Sequence, residues 1–149
     1  MNCYILKTNT ATEKDIFFHL KKCNHLFVPP LDTDLDIKEY SKKIKKNAYT
    51  FEAWNDNSLI GLVACYLNNP ETNEGYITNV SVVEKYHGHG IAKKLLMNNL
   101  TKAKQKKFTN LKLEVQKNNR KAIQLYSKLG FSKIEGNKNP SKLYMSIKL

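Results

Sequence analysis

Apolar positions change period along this chain, and each change marks an element. Tyr4-Ile5-Leu6-Lys7 reads as a short strand. Thr12-Glu13-Lys14-Asp15 offers a cap for a helix running to about Cys23, with Ile16, Phe17 and Leu20 on its apolar face. Val28-Pro29-Pro30-Leu31-Asp32 interrupts the pattern as a turn or loop. Asp34 or Asp36 starts a second helix, with Ile37, Tyr40 and Ile44 at helical spacing. The period then shortens to that of a strand. Residues 49–54 and 59–67 flank Asn55-Asp56-Asn57-Ser58, a hairpin signal. Asn68-Asn69-Pro70-Glu71-Thr72-Asn73 reads as a loop, and residues 75–83 as the next strand.

Helical spacing returns at 91–107, where Ile91, Leu95, Leu96, Leu100 and Ala103 share one side and lysines the other. Leu111-Lys112-Leu113-Glu114-Val115 alternates as a strand does. Ala122, Ile123, Leu125, Tyr126 and Leu129 fit a helix closed by Gly130. Phe131-Ser132-Lys133-Ile134 and Leu143-Tyr144-Met145-Ser146-Ile147 are two more strands, joined by a Gly/Asn/Pro loop. The predicted order is β-α-α-β-β-β-α-β-α-β-β. With no repeat and no internal linker, residues 1–149 read as one mixed α/β domain.

Composition narrows the classes. A chain of 149 residues with 41% hydrophobic content is long and apolar enough to bury a real core. No apolar run is long enough to span a bilayer, and the start lacks a basic-then-apolar signal pattern, so a cytoplasmic protein is expected. The three cysteines, Cys3, Cys23 and Cys65, are scattered and form no C-x-x-C. Neither a disulfide framework nor zinc spacing is present, and no metal site is expected. Cys65 sits in an apolar run and reads as a small buried hydrophobe. His19 and His25 have no ligand partners at metal spacing and read as surface or core positions; Trp54 reads as core.

Charge is unevenly spread. The net charge is +12, yet residues 1–84 carry nine Lys against eleven acids, while residues 85–149 carry sixteen Lys or Arg against Glu114 and Glu135 alone. A polyanionic ligand would be drawn to the second part. Arg120 is the one arginine, whereas base readout favours arginine forks, so sequence-specific nucleic-acid reading is not favoured.

The basic part starts at Tyr86-His87-Gly88-His89-Gly90-Ile91-Ala92-Lys93, between a strand and a helix. The first turn of a helix has N–H groups with no internal partner, and the helix dipole favours negative charge there. Glycines let a ligand approach the backbone closely. The loop matches neither G-x-x-x-x-G-K-[ST] nor a full G-x-G-x-x-G, since Lys93 replaces the third glycine.

A second signature is Asn119-Arg120-Lys121-Ala122-Ile123-Gln124-Leu125-Tyr126-Ser127-Lys128-Leu129-Gly130-Phe131. With it the chain resembles the GNAT acetyltransferase superfamily. The family's loop pattern Q/R-x-x-G-x-G/A is matched by His87, Gly90 and Ala92. Its pattern N-x-x-A-x-x-L-Y-x-x-x-G-F is matched without a gap by Asn119, Ala122, Leu125, Tyr126, Gly130 and Phe131. The resemblance covers residues 49–149 well, and residues 1–48 only through helix order. One departure is His87 where Gln or Arg is usual. Charge assistance there falls to a protonated His87, or to Lys93 and Lys94.

The resemblance implies a single-domain GNAT-like fold, with a mixed sheet of about seven strands and about four helices. It implies acetyl-CoA as donor, a primary amine on a small molecule or peptide as acceptor, and direct attack in a ternary complex without metal. Val80, Ser81 and Val82 would supply main-chain partners for the donor. Gly88, His89, Gly90, Ile91, Ala92 and Lys93 would supply the pyrophosphate amides, and Asn119 a further donor contact. His89 is expected to turn its side chain to solvent. Tyr126 would donate a proton to the leaving thiolate. Glu114 is the leading base, by its similarity to the L-E-V glutamate of ribosomal-protein alanine acetyltransferases. Glu74 with Tyr76, or a water chain, are its rivals. A CoA-binding adaptor without turnover and a basic nucleic-acid-associated protein are the alternative functions. The acceptor and the oligomeric state, a homodimer included, stay open.

Overall fold

The computed structural model describes residues 3–68, 71–135 and 139–149. The chain start, part of the loop expected at 68–73 and part of the Gly/Asn/Pro loop lie outside the described residues. The element order is the predicted one: β1 (Ile5–Thr8), α1 (Glu13–Cys23), α2 (Ile37–Asn47), β2 (Tyr49–Asn55), β3 (Ser58–Tyr66), β4 (Glu74–Val82), α3 (Ile91–Gln105), β5 (Asn110–Gln116), α4 (Arg120–Leu129), β6 (Ser132–Ile134) and β7 (Lys142–Lys148). Short 3-10 turns at Asn24–Leu26, Leu31–Thr33 and Glu84–Tyr86 occupy stretches whose period predicted no element.

Local chemistry sets the helix ends. Thr12 and Asp15 close a reciprocal capping box on α1. Asp36, not Asp34, caps α2 by accepting from the Glu39 N–H. Asn119 caps α4 by accepting from the Ala122 N–H, and Gly130 ends it at φ 109°, a left-handed conformation that glycine tolerates.

The seven strands form one sheet in the order β1-β2-β3-β4-β5-β7-β6. The β4–β5 pair is parallel and the others are antiparallel. Each face carries its own core, because successive strand residues point to opposite sides. On one face Ile91, Leu95, Leu96 and Ala103 of α3 meet Phe51, Val63, Leu111 and Leu113. On the other, Ile16 and Leu20 of α1 and Ile37 and Ile44 of α2 meet Trp54, Leu59, Leu62 and Ala64. Each Ile, Leu, Val or Phe among them contributes roughly 1.5–3 kcal/mol when fully buried.

Two irregularities open the sheet. Ala64 faces Asn79 while the next residue, Cys65, faces Ile77, so Thr78 is an extra residue bulged out of β4. The β4–β5 register runs from Glu74↔Asn110 to Ile77↔Leu113 and ends there. Beyond it β4 continues to Val82 and β5 to Gln116. The two strands splay into a wedge at the same level as the bulge.

Candidate functional site

The wedge opens into a cavity of about 1040 Å³. Along its floor run Thr78, Asn79, Val80, Ser81 and Val82 of β4, facing Leu113, Glu114, Val115 and Gln116 of β5. One end is formed by His87, Gly88, Gly90, Ile91, Ala92 and Lys93. Asn119, Lys121, Ala122, Leu125 and Tyr126 close a side. The other rim comes from the segment after α1, with Leu26, Phe27, Val28, Pro29, Leu31, Asp34 and Leu35, and from Lys142 of β7.

The fold therefore gathers nearly all the residues singled out from the sequence: Val80, Ser81, Val82, His87, Gly88, Gly90, Ile91, Ala92, Lys93, Glu114, Asn119 and Tyr126. His89 is exposed and lies outside the lining. Glu74 and Tyr76 also lie outside it. Glu74 is exposed at the far end of β4 and accepts from the Asn110 side-chain amide at 2.8 Å.

The loop end suits an anion. Gly88 and Gly90 have φ of 84° and 73°, where a side chain is strained. α1, α2 and α4 each start with a capping side chain, but α3 starts at Gly90 with none. Its first-turn N–H groups thus face the cavity uncapped, at the positive end of the helix dipole. His87 Nε2 lies 2.7 Å from the Val82 carbonyl. A carbonyl only accepts, so Nε2 carries the proton and the ring ties the loop to the end of β4. Lys93 lines the cavity, whereas Lys94 donates to the Tyr4 hydroxyl at 2.8 Å and sits 5.2 Å above its ring. The expected lysine assistance thus narrows to Lys93, because Lys94 is engaged elsewhere.

Tyr126 is 7% exposed and packs against Phe131 with ring centroids 5.9 Å apart. Burial pushes its phenol well above the ordinary value, so it stays protonated. Glu114 is partly exposed and pairs with Lys142 at 2.7 Å. Its hydrogen bond raises the Lys142 ammonium above its usual range. Burial, reinforced by the charge of Glu114, lifts the Tyr76 phenol to about 12. Asn119 has two uses: its oxygen caps α4 while the residue lines the cavity.

Sequence reasoning left His19 as surface or core. It is buried, and its ring reaches the cavity wall: Nδ1 lies 3.0 Å from the Leu59 carbonyl and Nε2 lies 2.9 Å from Ser81 Oγ. The available signal was its place in Ile16, His19, Leu20 and Cys23, a single helical stripe. Among the described residues no group of three or more His, Cys, Asp or Glu could hold a metal ion, and no helix is long and apolar enough to cross a membrane. A smaller hollow of about 280 Å³, lined by Asn9 and residues 45–50, gathers none of these groups.

Residues 14–131 match the acetyltransferase (GNAT) family. N-alpha-acetyltransferase 30 of Schizosaccharomyces pombe is 33% identical over 85 residues, which are 56% of this chain and 57% of that protein. The chain spans about half the length of the curated relatives it matches. A GNAT-family acetyltransferase of Staphylococcus aureus superposes with a TM-score of 0.81 at 17% identity, covering 99% of each chain. A chain of the NatC complex bound to Gag peptide and CoA superposes with a TM-score of 0.72 at 22% identity, covering 98% of each chain. At these identities the two superpositions speak for the fold.

Proposed function

Because the chain belongs to the acetyltransferase (GNAT) family, we propose that it transfers the acetyl group of acetyl-CoA to a primary amine by direct attack in a ternary complex. The observation that carries this reading is the cavity itself. It runs from uncapped helix amides, past the splayed β4 edge, to a buried phenol and on to a separate rim.

Each part has a task. The amides of α3, with Lys93, take the pyrophosphate. The free edge of β4 from Val80 to Val82 holds the pantetheine arm and polarises the thioester carbonyl. Holding donor and amine together supplies a large share of the acceleration. Tyr126 keeps its proton until the thiolate leaves. Glu114, the carboxylate on β5 in the cavity, takes the amine proton once the acceptor displaces Lys142. Asn119 steadies the donor beside α4.

The acceptor lies on the rim formed by residues 26–35. We propose the α-amine of a peptide N-terminus, the acceptor for which the curated relatives are named. The apolar lining of Leu26, Phe27, Val28, Leu31 and Leu35 suits an apolar first side chain, and Asp34 favours a cationic or neutral amine over an acidic one. The chain would act as one domain in the cytoplasm.

An acceptor screen following free CoA tests the reading, with peptides and small amines compared at saturating acetyl-CoA. Peptide α-amines should lead, and acidic acceptors should trail. Glu114→Gln should depress the rising limb of kcat/KM with pH, while Glu74→Gln should leave it in place. A loss confined to Glu74→Gln would move the base to the other end of β4.

A further inference from the structure

The reaction described above leaves His19 unused, although this buried imidazole is wired to the cavity. Its Nδ1 faces the Leu59 carbonyl at 3.0 Å. That oxygen only accepts, so Nδ1 carries the hydrogen of the neutral ring and Nε2 presents a lone pair. The Nε2 lone pair meets Ser81 Oγ at 2.9 Å. The Ser81 hydroxyl has one proton and two acceptors within reach, His19 Nε2 and, at 2.8 Å, Asn79 Oδ1. Ser81 and Asn79 both line the cavity, on the stretch of β4 beyond its last pair with β5. A hydroxyl that can turn between two acceptors, with one face to a cavity, is what a proton relay requires.

The groups packed about the imidazole agree with this. On α1, Lys22 opposes a charged ring, and the Cys23 thiol, 3.8 Å from Nε2, is pushed up to about 11 by its own burial and stays protonated. On α2, Tyr40 bonds Thr78 rather than the ring, and burial lifts its phenol to about 12. β3 offers the Leu59 carbonyl. Burial lowers the His19 imidazole to about 4. The ring is therefore neutral at neutral pH, and its basicity is close to that of an ordinary carboxylate at about 4.

We propose that Ser81 and His19 form a second route for the proton of the acceptor amine. The inference rests on the acetyl-transfer reading of the cavity. As the amine nitrogen bonds to the thioester carbon, its proton passes to Ser81 Oγ while the Ser81 proton passes to His19 Nε2. The C–S bond breaks, and the CoA thiolate takes the Tyr126 proton. His19 then releases its proton to solvent and Tyr126 regains one, so one proton has moved from amine to thiol. Ser81 is the group that meets the substrate, and His19 acts through it. Glu114 is paired with Lys142, so the two routes have different partners.

The test uses the whole chain with acetyl-CoA and the best amine from the screen. Ser81→Ala keeps the main chain of β4 and removes the hydroxyl; His19→Gln keeps a polar side chain and removes the base. Each should lower kcat about two- to threefold, because Glu114 keeps its own route, with donor affinity by calorimetry unchanged. The double variant should lose no more than either single one. A proton inventory in mixed light and heavy water should be curved for the wild type and linear for Ser81→Ala. Wild-type kcat in Ser81→Ala, or losses that multiply in the double variant, would overturn the relay. If His19→Gln fails to fold, the Ser81→Ala rate and inventory decide alone. Absence of any acetyl transfer by the wild type removes the acetyltransferase reading and the relay with it. Transfer by the wild type matched by Ser81→Ala removes the relay alone.

Discussion

Glu52 and Glu114, both on this sheet, stand in opposite surroundings. Glu52 of β2 is fully buried at the joint of β1, α1 and β2. Its carboxylate accepts from the Thr10 N–H and hydroxyl, the Ala11 N–H, the Thr50 hydroxyl and the Trp54 indole N–H. Burial pushes its carboxyl up, but those hydrogen bonds outweigh burial and hold it below the usual range. Glu114 of β5 lies at the cavity with its side chain 26% exposed, paired with Lys142 across the β5–β7 ladder. The helix starts repeat the contrast. α1 is closed by a capping box, whereas α3 begins bare at Gly90. Closed polar groups stabilise the fold; open ones are left for a ligand.

Substitutions on either side of this divide should separate activity from stability. The largest effect is expected on the open side. Tyr126→Phe should lower kcat on the order of ten- to a thousandfold while donor affinity and melting temperature hold, because the hydroxyl alone is removed from a packed ring. Wild-type turnover in this variant would take Tyr126 out of the mechanism. On the closed side, Glu52→Gln should destabilise by about 3 kcal/mol, because it removes a charge that several donors were built around. Denaturant unfolding reads this, and kcat of the folded fraction should not move. A kcat loss at full stability would erase the distinction between the two glutamates.

His19 belongs to both sides, and acid exposes its structural part. Its folded value of about 4 lies below the ordinary 6.5. Its contribution is therefore fully present above about pH 6.5 and is lost as pH falls toward 4, by at most about 3 kcal/mol. Glu52 shares the sign but acts lower, below the ordinary carboxylate range. Unfolding midpoints between pH 7 and 4.5 should slope downward in the wild type and flatten in His19→Gln. An equal slope in both would assign the loss to other groups. The smallest effect is expected from Gly90→Val. No atom lies within 4 Å of a Cβ there, so the penalty is the left-handed φ, about 1–2 kcal/mol. Valine lets the free loop relax from that geometry and binding has to restore it, so acetyl-CoA affinity should fall about tenfold with the fold intact, and calorimetry with unchanged affinity would reject the loop as the pyrophosphate site.

The sequence by itself determined the elements and the glycine-loop end of the cavity. Both depend on residues close along the chain: apolar spacing, the Thr12–Asp15 cap, Gly130, and the run from His87 to Lys93. Candidates such as Tyr126 and Glu114 were legible because they stand inside short motifs on regular elements. Tertiary structure decided what depends on distant partners. It put Glu114 in the cavity and Glu74 outside it, because β4 and β5 part after Ile77 and Leu113. It tied Lys94 to Tyr4 and gave Lys93 to the cavity. It joined His19 to Ser81 across 62 residues of sequence. Side-chain pairings of that span depend on where two elements are pressed together by burial, and neither local period nor motif carries that information.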